Sequence, residues 1–192
     1  MKLKTLKEEQ LKKFLKGVKA NKVILFIIDA KKYHKVHLSI LKTLIKEKKF
    51  SGIYITVNKP YFDLIKYLKE NGISTENIFF IDAISKSVSK EIKMTDNCLF
   101  IPSPSHLTDL GIALTEALEN MENKENKFLL LDSISTLLIY NNFETVAKFI
   151  HFIISRLRVF GLIGLIVSIE KLLDEKMINI LIEMCDEAIE VK

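Results

Sequence analysis

The chain has 192 residues, 48% of them hydrophobic, a length and composition that suit one domain with a single sizeable core and exclude a disordered chain. No apolar run approaches the roughly 20 residues of a membrane span. Its net charge is +5, and two cysteines, Cys98 and Cys185, exclude a disulfide framework and a cysteine-rich zinc site. We therefore expect a reducing, cytoplasmic location, and we expect no signal peptide because no apolar segment follows the first lysines.

The positive charge is concentrated at the N-terminus, where residues 1–22 carry eight lysines and two glutamates. We predict that residues 1–20 form a basic amphipathic helix that docks on an α/β domain over residues 21–192. Its apolar face would carry Leu3, Leu6, Phe14, Leu15 and Val18. The alternatives for this helix are binding to a protein, to nucleic acid or to a membrane surface. Arg156 and Arg158 are the only arginines, which fits a nucleic-acid surface poorly.

Strand and helix patterns then alternate about six times along the chain. The predicted strands are 23–28, 52–57, 78–82, 99–101, 128–131, 162–169 and 188–191, the last of which is expected at an edge. The predicted helices are 35–49, a helix from Pro60 to the Asn71-Gly72 stop, 106–121 capped by Ser105, 143–160 ending at Gly161, and 174–184. Residues 83–97 give no assignment. This alternation predicts a three-layer α/β fold with a mostly parallel sheet and helices on both faces.

The most informative stretch is Phe128-Leu-Leu-Leu-Asp-Ser133. A continuous apolar run without alternation suits a strand that is buried on both faces. Asp132 would then lie at the carboxyl edge of the sheet, where α/β proteins bind ligands and where nucleotide hydrolases hold Mg²⁺ with the Walker-B aspartate. The alternative is a core strand that ends in a polar turn.

Four segments together resemble the RecA-like ATPases, and among them the archaeal KaiC-like group. They are 52–57 with its helix to Gly72-Ile73, then 78–82, then 103–110, and then 130–138 with the helix to Gly161. The resemblance covers roughly residues 20–191, and it extends to a small archaeal family of unknown function related to KaiC. It implies a RecA-like fold, with Asp132 and Ser133 at the Walker-B position.

The phosphate loop of that family, G-x-x-x-x-G-K-[ST], is degenerate in this chain. The corresponding interval reads Asp29-Ala-Lys-Lys-Tyr-His-Lys-Val36. Asp29 and His34 stand in the glycine positions, and Val36 replaces the hydroxyl that ligates Mg²⁺. Lys35 falls at the lysine position, which we interpret as a coincidence in a lysine-rich chain. Without glycines the loop cannot wrap its N–H groups around phosphates, and a carboxylate at its start repels them.

The catalytic glutamates of KaiC-like ATPases, which follow the second strand, are also missing. This chain has Val57-Asn58-Lys59-Pro60 there, with no carboxylate before Asp63. The resemblance therefore implies a RecA-like domain without hydrolytic activity, for which we expect no cofactor. We predict that it acts as a regulatory module through a protein partner or self-association.

Two further hypotheses come from other residues. Asp29, Asp82 and Asp132 each end a predicted strand and would meet one edge of the sheet, where they could bind Mg²⁺ with a nucleotide or phosphoryl ligand if they converge. They could equally be solvated loop carboxylates. Nucleic-acid binding through the first helix is the second hypothesis. His34 and His37 are expected as a surface pair, because no third metal ligand is placed beside them.

Overall fold

A computed structural model describes residues 3–89, 91–169 and 173–192, and these residues form one parallel sheet of eight strands in the order β1-β8-β2-β7-β6-β3-β4-β5. The strands are β1 (Lys4–Leu6), β2 (Val23–Ile28), β3 (Ser51–Thr56), β4 (Ile78–Asp82), β5 (Cys98–Phe100), β6 (Lys127–Asp132), β7 (Ile163–Ile169) and β8 (Glu187–Val191). The predicted parallel α/β fold is therefore confirmed.

Eight α-helices in the described residues connect the strands. They are α1 (Glu8–Gly17), α2 (Tyr33–Leu41), α3 (Tyr61–Glu70), α4 (Ser85–Val88), α5 (Leu107–Asn120), α6 (Ile134–Tyr140), α7 (Phe143–Phe160) and α8 (Glu175–Met184). Helix α2 continues as a π-helical segment, Lys42–Glu47. None of the described helices has the combination of length and apolarity needed to cross a bilayer.

The sheet separates two hydrophobic layers, which explains why its strands lack polar alternation. In β2, Val23, Leu25 and Ile27 belong to the layer beneath α5, α6, α7 and α8. Ile24, Phe26 and Ile28 belong to the layer beneath α1, α2 and α3. All six side chains are buried, as expected for a parallel strand covered by helices on both sides. The result is the three-layer arrangement expected from the sequence.

The N-terminal segment differs from the single helix predicted for it. Residues Lys4–Leu6 form an edge strand that pairs with β8, and α1 begins only at Glu8. The predicted apolar face omits Leu11, which is fully buried together with Leu15, whereas Leu3 is exposed. Because β1 covers it, β8 lies between β1 and β2 and is not the edge strand that we expected.

Two other local predictions need correction. Helix α5 has His106 at its N-cap, and no side chain caps it, so Ser105 does not play that part. The residues after Ser133, for which no helix was predicted, form the helix α6. Helix α7 has its predicted limits because Asn142 accepts a hydrogen bond from the Thr145 N–H and Gly161 ends the helix at φ 76°.

Candidate functional site

The candidate site is centred on Asp132, which ends β6 between β3 and β7 in the middle of the sheet. Its carboxylate is buried, and both of its oxygen atoms accept hydrogen bonds. The Tyr54 hydroxyl donates to Oδ2 at 2.7 Å, and the Asn58 side-chain amide donates to Oδ1 at 3.0 Å. Tyr54 lies on β3 and Asn58 just after it, so the neighbouring strand supplies both donors.

His37 extends this hydrogen-bonded chain from helix α2. Its Nε2 atom lies 2.7 Å from the Tyr54 hydroxyl and 4.0 Å from Asp132 Oδ2. Because the single hydroxyl proton of Tyr54 goes to Asp132, His37 must donate from Nε2 to the Tyr54 oxygen. Burial lowers the pKa of His37, although the charge of Asp132 acts in the opposite direction. The ring is therefore neutral near pH 7, and the order of donation is from His37 to Tyr54 to Asp132.

Aromatic side chains enclose a cavity of about 280 Å³ beside this chain. The Tyr33 ring stacks on His37, with the two centres 5.7 Å apart, and burial together with the charge of Asp132 raises the pKa of Tyr33. The Tyr67 hydroxyl is buried and has no partner among the described residues. The ammonium group of Lys59 lies 4.2 Å from the centre of the Tyr67 ring. The chain's own cation thus covers part of the cavity wall, a favourable cation–π position.

The segment that corresponds to the phosphate loop is a short turn closed on itself. The Lys32 N–H donates to the Asp29 carbonyl at 2.9 Å, and the Lys31 N–H donates to the Asp29 side chain at 2.8 Å. Helix α2 begins at Tyr33, so only four residues separate it from β2. Two backbone N–H groups of this turn are engaged by Asp29 itself.

Among His34, Lys35 and Val36 of the predicted degenerate loop, only His34 lines the cavity beside Asp132. Lys35 is exposed and pairs with Glu8 of α1, which raises the pKa of the Lys35 ammonium. Val36 is buried in the layer beneath α1, α2 and α3. His34 is exposed but lines the cavity, and His37 is buried, so the expected surface pair of histidines is wrong for His37.

The acidic edge does not bring its three carboxylates together. Strands β2 and β4 each lie two positions from β6, and Asp82 is level with Asp132, so these two backbones are roughly 10 Å apart. The β2 residue level with Asp132 is Phe26, so Asp29, three residues further along the chain, is more distant still. Asp82 is buried and accepts hydrogen bonds from the N–H groups of Tyr61, Ile84 and Ser85. No group of three or more His, Cys, Asp or Glu side chains in the described ranges is arranged to hold a metal ion. The convergence that a shared Mg²⁺ site would require is therefore not seen, because intervening strands separate the three carboxylates.

Sequence patterns identified Asp132 and Ser133 but missed most of the residues around them. Ser133 is buried at the start of α6, where its hydroxyl lies 3.5 Å from both Thr136 Oγ1 and Asn58 Nδ2. Tyr33, Tyr54 and Tyr67 were not predicted. A tyrosine in the middle of an otherwise aliphatic buried strand was the available signal, because a buried hydroxyl requires a hydrogen-bond partner.

The three-layer fold of the chain, a parallel sheet covered by helices on both faces, is similar to the folds of KaiC-like proteins of known structure. A KaiC-like protein from the hyperthermophilic archaeon Pyrococcus horikoshii OT3 superposes with a TM-score of 0.63 at 10% identity, covering 89% of this chain and 72% of that one. The flagellar accessory protein FlaH from Methanocaldococcus jannaschii gives 0.57 at 17% identity, covering 94% and 76%. A second protein of P. horikoshii OT3 gives 0.60 at 14% identity, covering 97% and 88%.

The family itself is identified by sequence. A family model described as a family of unknown function, DUF7504, matches residues 69–191, and the chain belongs to that family. This region contains β4 to β8 and therefore Asp132, but it excludes the turn after β2. No curated protein matches the sequence.

Proposed function

We propose that this chain is a KaiC/RecA-like domain that does not hydrolyse nucleotides and that acts as a regulatory module by binding a protein. The observation that carries the proposal is the state of the Asp132 carboxylate, whose two oxygens accept hydrogen bonds from Tyr54 and Asn58. A Walker-B aspartate must turn an oxygen towards Mg²⁺ and its water ligands. Here Tyr33, Tyr54 and His37 surround the carboxylate and leave a small aromatic cavity.

The turn after β2 supports the same proposal. Phosphate binding requires a loop that presents several unengaged backbone N–H groups together with a lysine. The Asp29 turn is four residues long and uses two of its N–H groups internally. Lys35, at the motif position, forms its ion pair with α1. After β3, where KaiC-like ATPases carry catalytic glutamates, this chain places Asn58 and Lys59, and neither supplies a carboxylate to activate water.

The test measures ATP turnover and ATP binding in the presence of Mg²⁺, for the wild-type chain and for Asp132→Ala. We expect no steady-state turnover and no saturable binding of a fluorescent ATP analogue. Lys35→Ala serves as a second variant, which should be indistinguishable from the wild type. Turnover that disappears in Asp132→Ala, or nucleotide binding that disappears in Lys35→Ala, would overturn the proposal.

Two alternatives receive less support. Binding of Mg²⁺ with a phosphoryl ligand at the acidic edge requires Asp29, Asp82 and Asp132 to converge, and they lie on strands that are not neighbours. The hypothesis that α1 binds nucleic acid has less support because Lys12 and Lys16 of this helix form ion pairs with Glu47. Calorimetry with Mg²⁺ and a nucleotide panel tests the first. DNA binding that weakens steeply with salt would favour the second.

A further inference from the structure

An open apolar groove of about 580 Å³ lies between α5 and α7, on the face of the sheet opposite to α1 and α2. Ile112 on α5 is 63% exposed, and Phe152 on α7 is 37% exposed. The rings of Phe149 and Phe152 stack with their centres 6.4 Å apart and form one wall. Large apolar side chains that share one concave surface mark an interaction site more often than isolated ones do.

A glycine keeps the middle of this groove open. A Cβ atom at Gly111 would lie 3.3 Å from the Phe152 ring, so a larger residue at this position would press on the aromatic wall. Helix α5 has 14 residues and is therefore about 21 Å long, which is room for roughly four helical turns of a bound segment. A groove between two helices with these dimensions suits an amphipathic helix.

The charge of the groove specifies the occupant further. Its charged lining residues are Glu116 and Glu119, and neither forms an ion pair within the described parts of the chain. They lie near the C-terminal end of α5, where the helix dipole disfavours carboxylates, and the last turn of α5 carries no basic residue. Two like charges three residues apart also repel each other. The free chain therefore bears an electrostatic cost that a cationic partner would relieve.

We propose that this groove is the docking site for an amphipathic helix of a protein partner. The helix would present apolar side chains at positions i, i+3 or i+4, and i+7, with lysine or arginine on the flank that faces Glu116 and Glu119. The apolar side chains would cover Ile112 and Phe152, and the basic flank would compensate the two carboxylates. This inference rests on the proposed protein-binding function and names the surface that performs it.

The experiment uses two designed helical peptides that share one apolar face and differ only in the flank, which carries lysines in one and glutamates in the other. Fluorescence anisotropy with the full chain should show saturable binding of the lysine peptide, and binding of the glutamate peptide at least about tenfold weaker. Ile112→Glu should weaken the binding of the lysine peptide by at least about tenfold. The double variant Glu116→Lys/Glu119→Lys should reverse the preference between the peptides.

Ile139→Glu is the matched control, because Ile139 is 75% exposed and lies outside the groove lining. It should bind the lysine peptide as the wild type does. The proposal is overturned if the lysine peptide does not bind, if both peptides bind equally, or if Ile112→Glu and Ile139→Glu behave alike. If Ile112→Glu does not fold, the double variant decides. A negative result in this experiment does not contradict the proposal that the chain does not hydrolyse nucleotides, since only ATP turnover or nucleotide binding would overturn that proposal.

Discussion

The hydroxyl group of Tyr54 lies 2.7 Å from Oδ2 of Asp132 and donates a hydrogen bond to it. This bond joins the middle of β3 to the end of β6, its neighbour in the sheet. On its other side, the same hydroxyl accepts from His37 on α2. Helix α2, which follows the Asp29 turn, is thereby connected to β6 through one buried tyrosine.

Tyr54→Phe should destabilise the chain by about 1–3 kcal/mol, because the buried Oδ2 of Asp132 loses its donor and the buried Nε2–H of His37 loses its acceptor. Tyr67→Phe is the matched control, since the Tyr67 hydroxyl is buried without a partner in the described residues and its removal should be neutral or stabilising. Urea unfolding of both variants measures the difference. Equal effects of the two substitutions would show that the Tyr54 hydroxyl adds nothing to stability.

His37 should make the stability of the chain depend on pH. Burial lowers the pKa of His37 from its ordinary value of 6.5, so the folded state stays neutral at a pH where the unfolded chain takes up a proton. Stability should therefore fall as the pH drops below about 6.5, by about 1 kcal/mol or more between pH 7 and pH 5.

His37→Gln retains an N–H donor for Tyr54 but cannot titrate in this range, so its unfolding free energy should change less between pH 7 and pH 5. At pH 8 His37 is neutral in both the folded and the unfolded wild-type chain. The difference in unfolding free energy between the wild type and His37→Gln at this pH therefore measures the packing effect of the substitution. Parallel pH profiles for the wild type and His37→Gln would exclude His37 as the source of the dependence.

Much of the fold follows from local patterns. The run Val23–Ile28 is apolar at every position, as expected of a strand that is covered on both faces. It forms such a strand, β2. Helix α7 was predicted with its correct limits from its apolar periodicity and the glycine stop at Gly161. Strand β1 was missed because three residues within a lysine-rich helical pattern carry no strand signal. Its pairing with β8 depends on residues more than 180 positions away.

The site was predictable only at its centre. Asp132 ends the buried strand β6, and its position at the carboxyl ends of the strands could be inferred from the local sequence. Its partners are not local, because Tyr54 precedes it by 78 residues and reaches it only through the register of β3 against β6. His37 was expected at the surface because no third metal ligand was placed beside it and His34, and only the packing of α2 on the sheet buries it.

The N-terminal helix should behave as part of the domain. Leu11 and Leu15 of α1 are fully buried in the same hydrophobic layer as α2 and β2. Leu11→Ala should therefore destabilise the whole chain by about 2–5 kcal/mol. Leu3→Ala is the control, because Leu3 is 40% exposed, and it should change the unfolding free energy little. If Leu11→Ala leaves the global unfolding transition unchanged, residues 1–20 form a module that folds separately.

Gly52 should tolerate no side chain, because it faces an aromatic ring on the neighbouring strand. Gly52 pairs with Phe128 in the β3–β6 register, and a Cβ atom at this position would lie 2.2 Å from the fully buried Phe128 ring. The ring cannot move away without disturbing the core beneath Asp132, so Gly52→Ala should cost about 3 kcal/mol or more.

Gly17 provides the comparison for this substitution. It is the last residue of α1, and a Cβ atom there meets nothing within 4 Å, so Gly17→Ala should be neutral or stabilise the chain by up to about 1 kcal/mol. Thermal and urea unfolding of the two variants separates steric crowding from the general effect of replacing glycine. A small cost at Gly52 would mean that the Phe128 ring can shift within the core to make room for a methyl group.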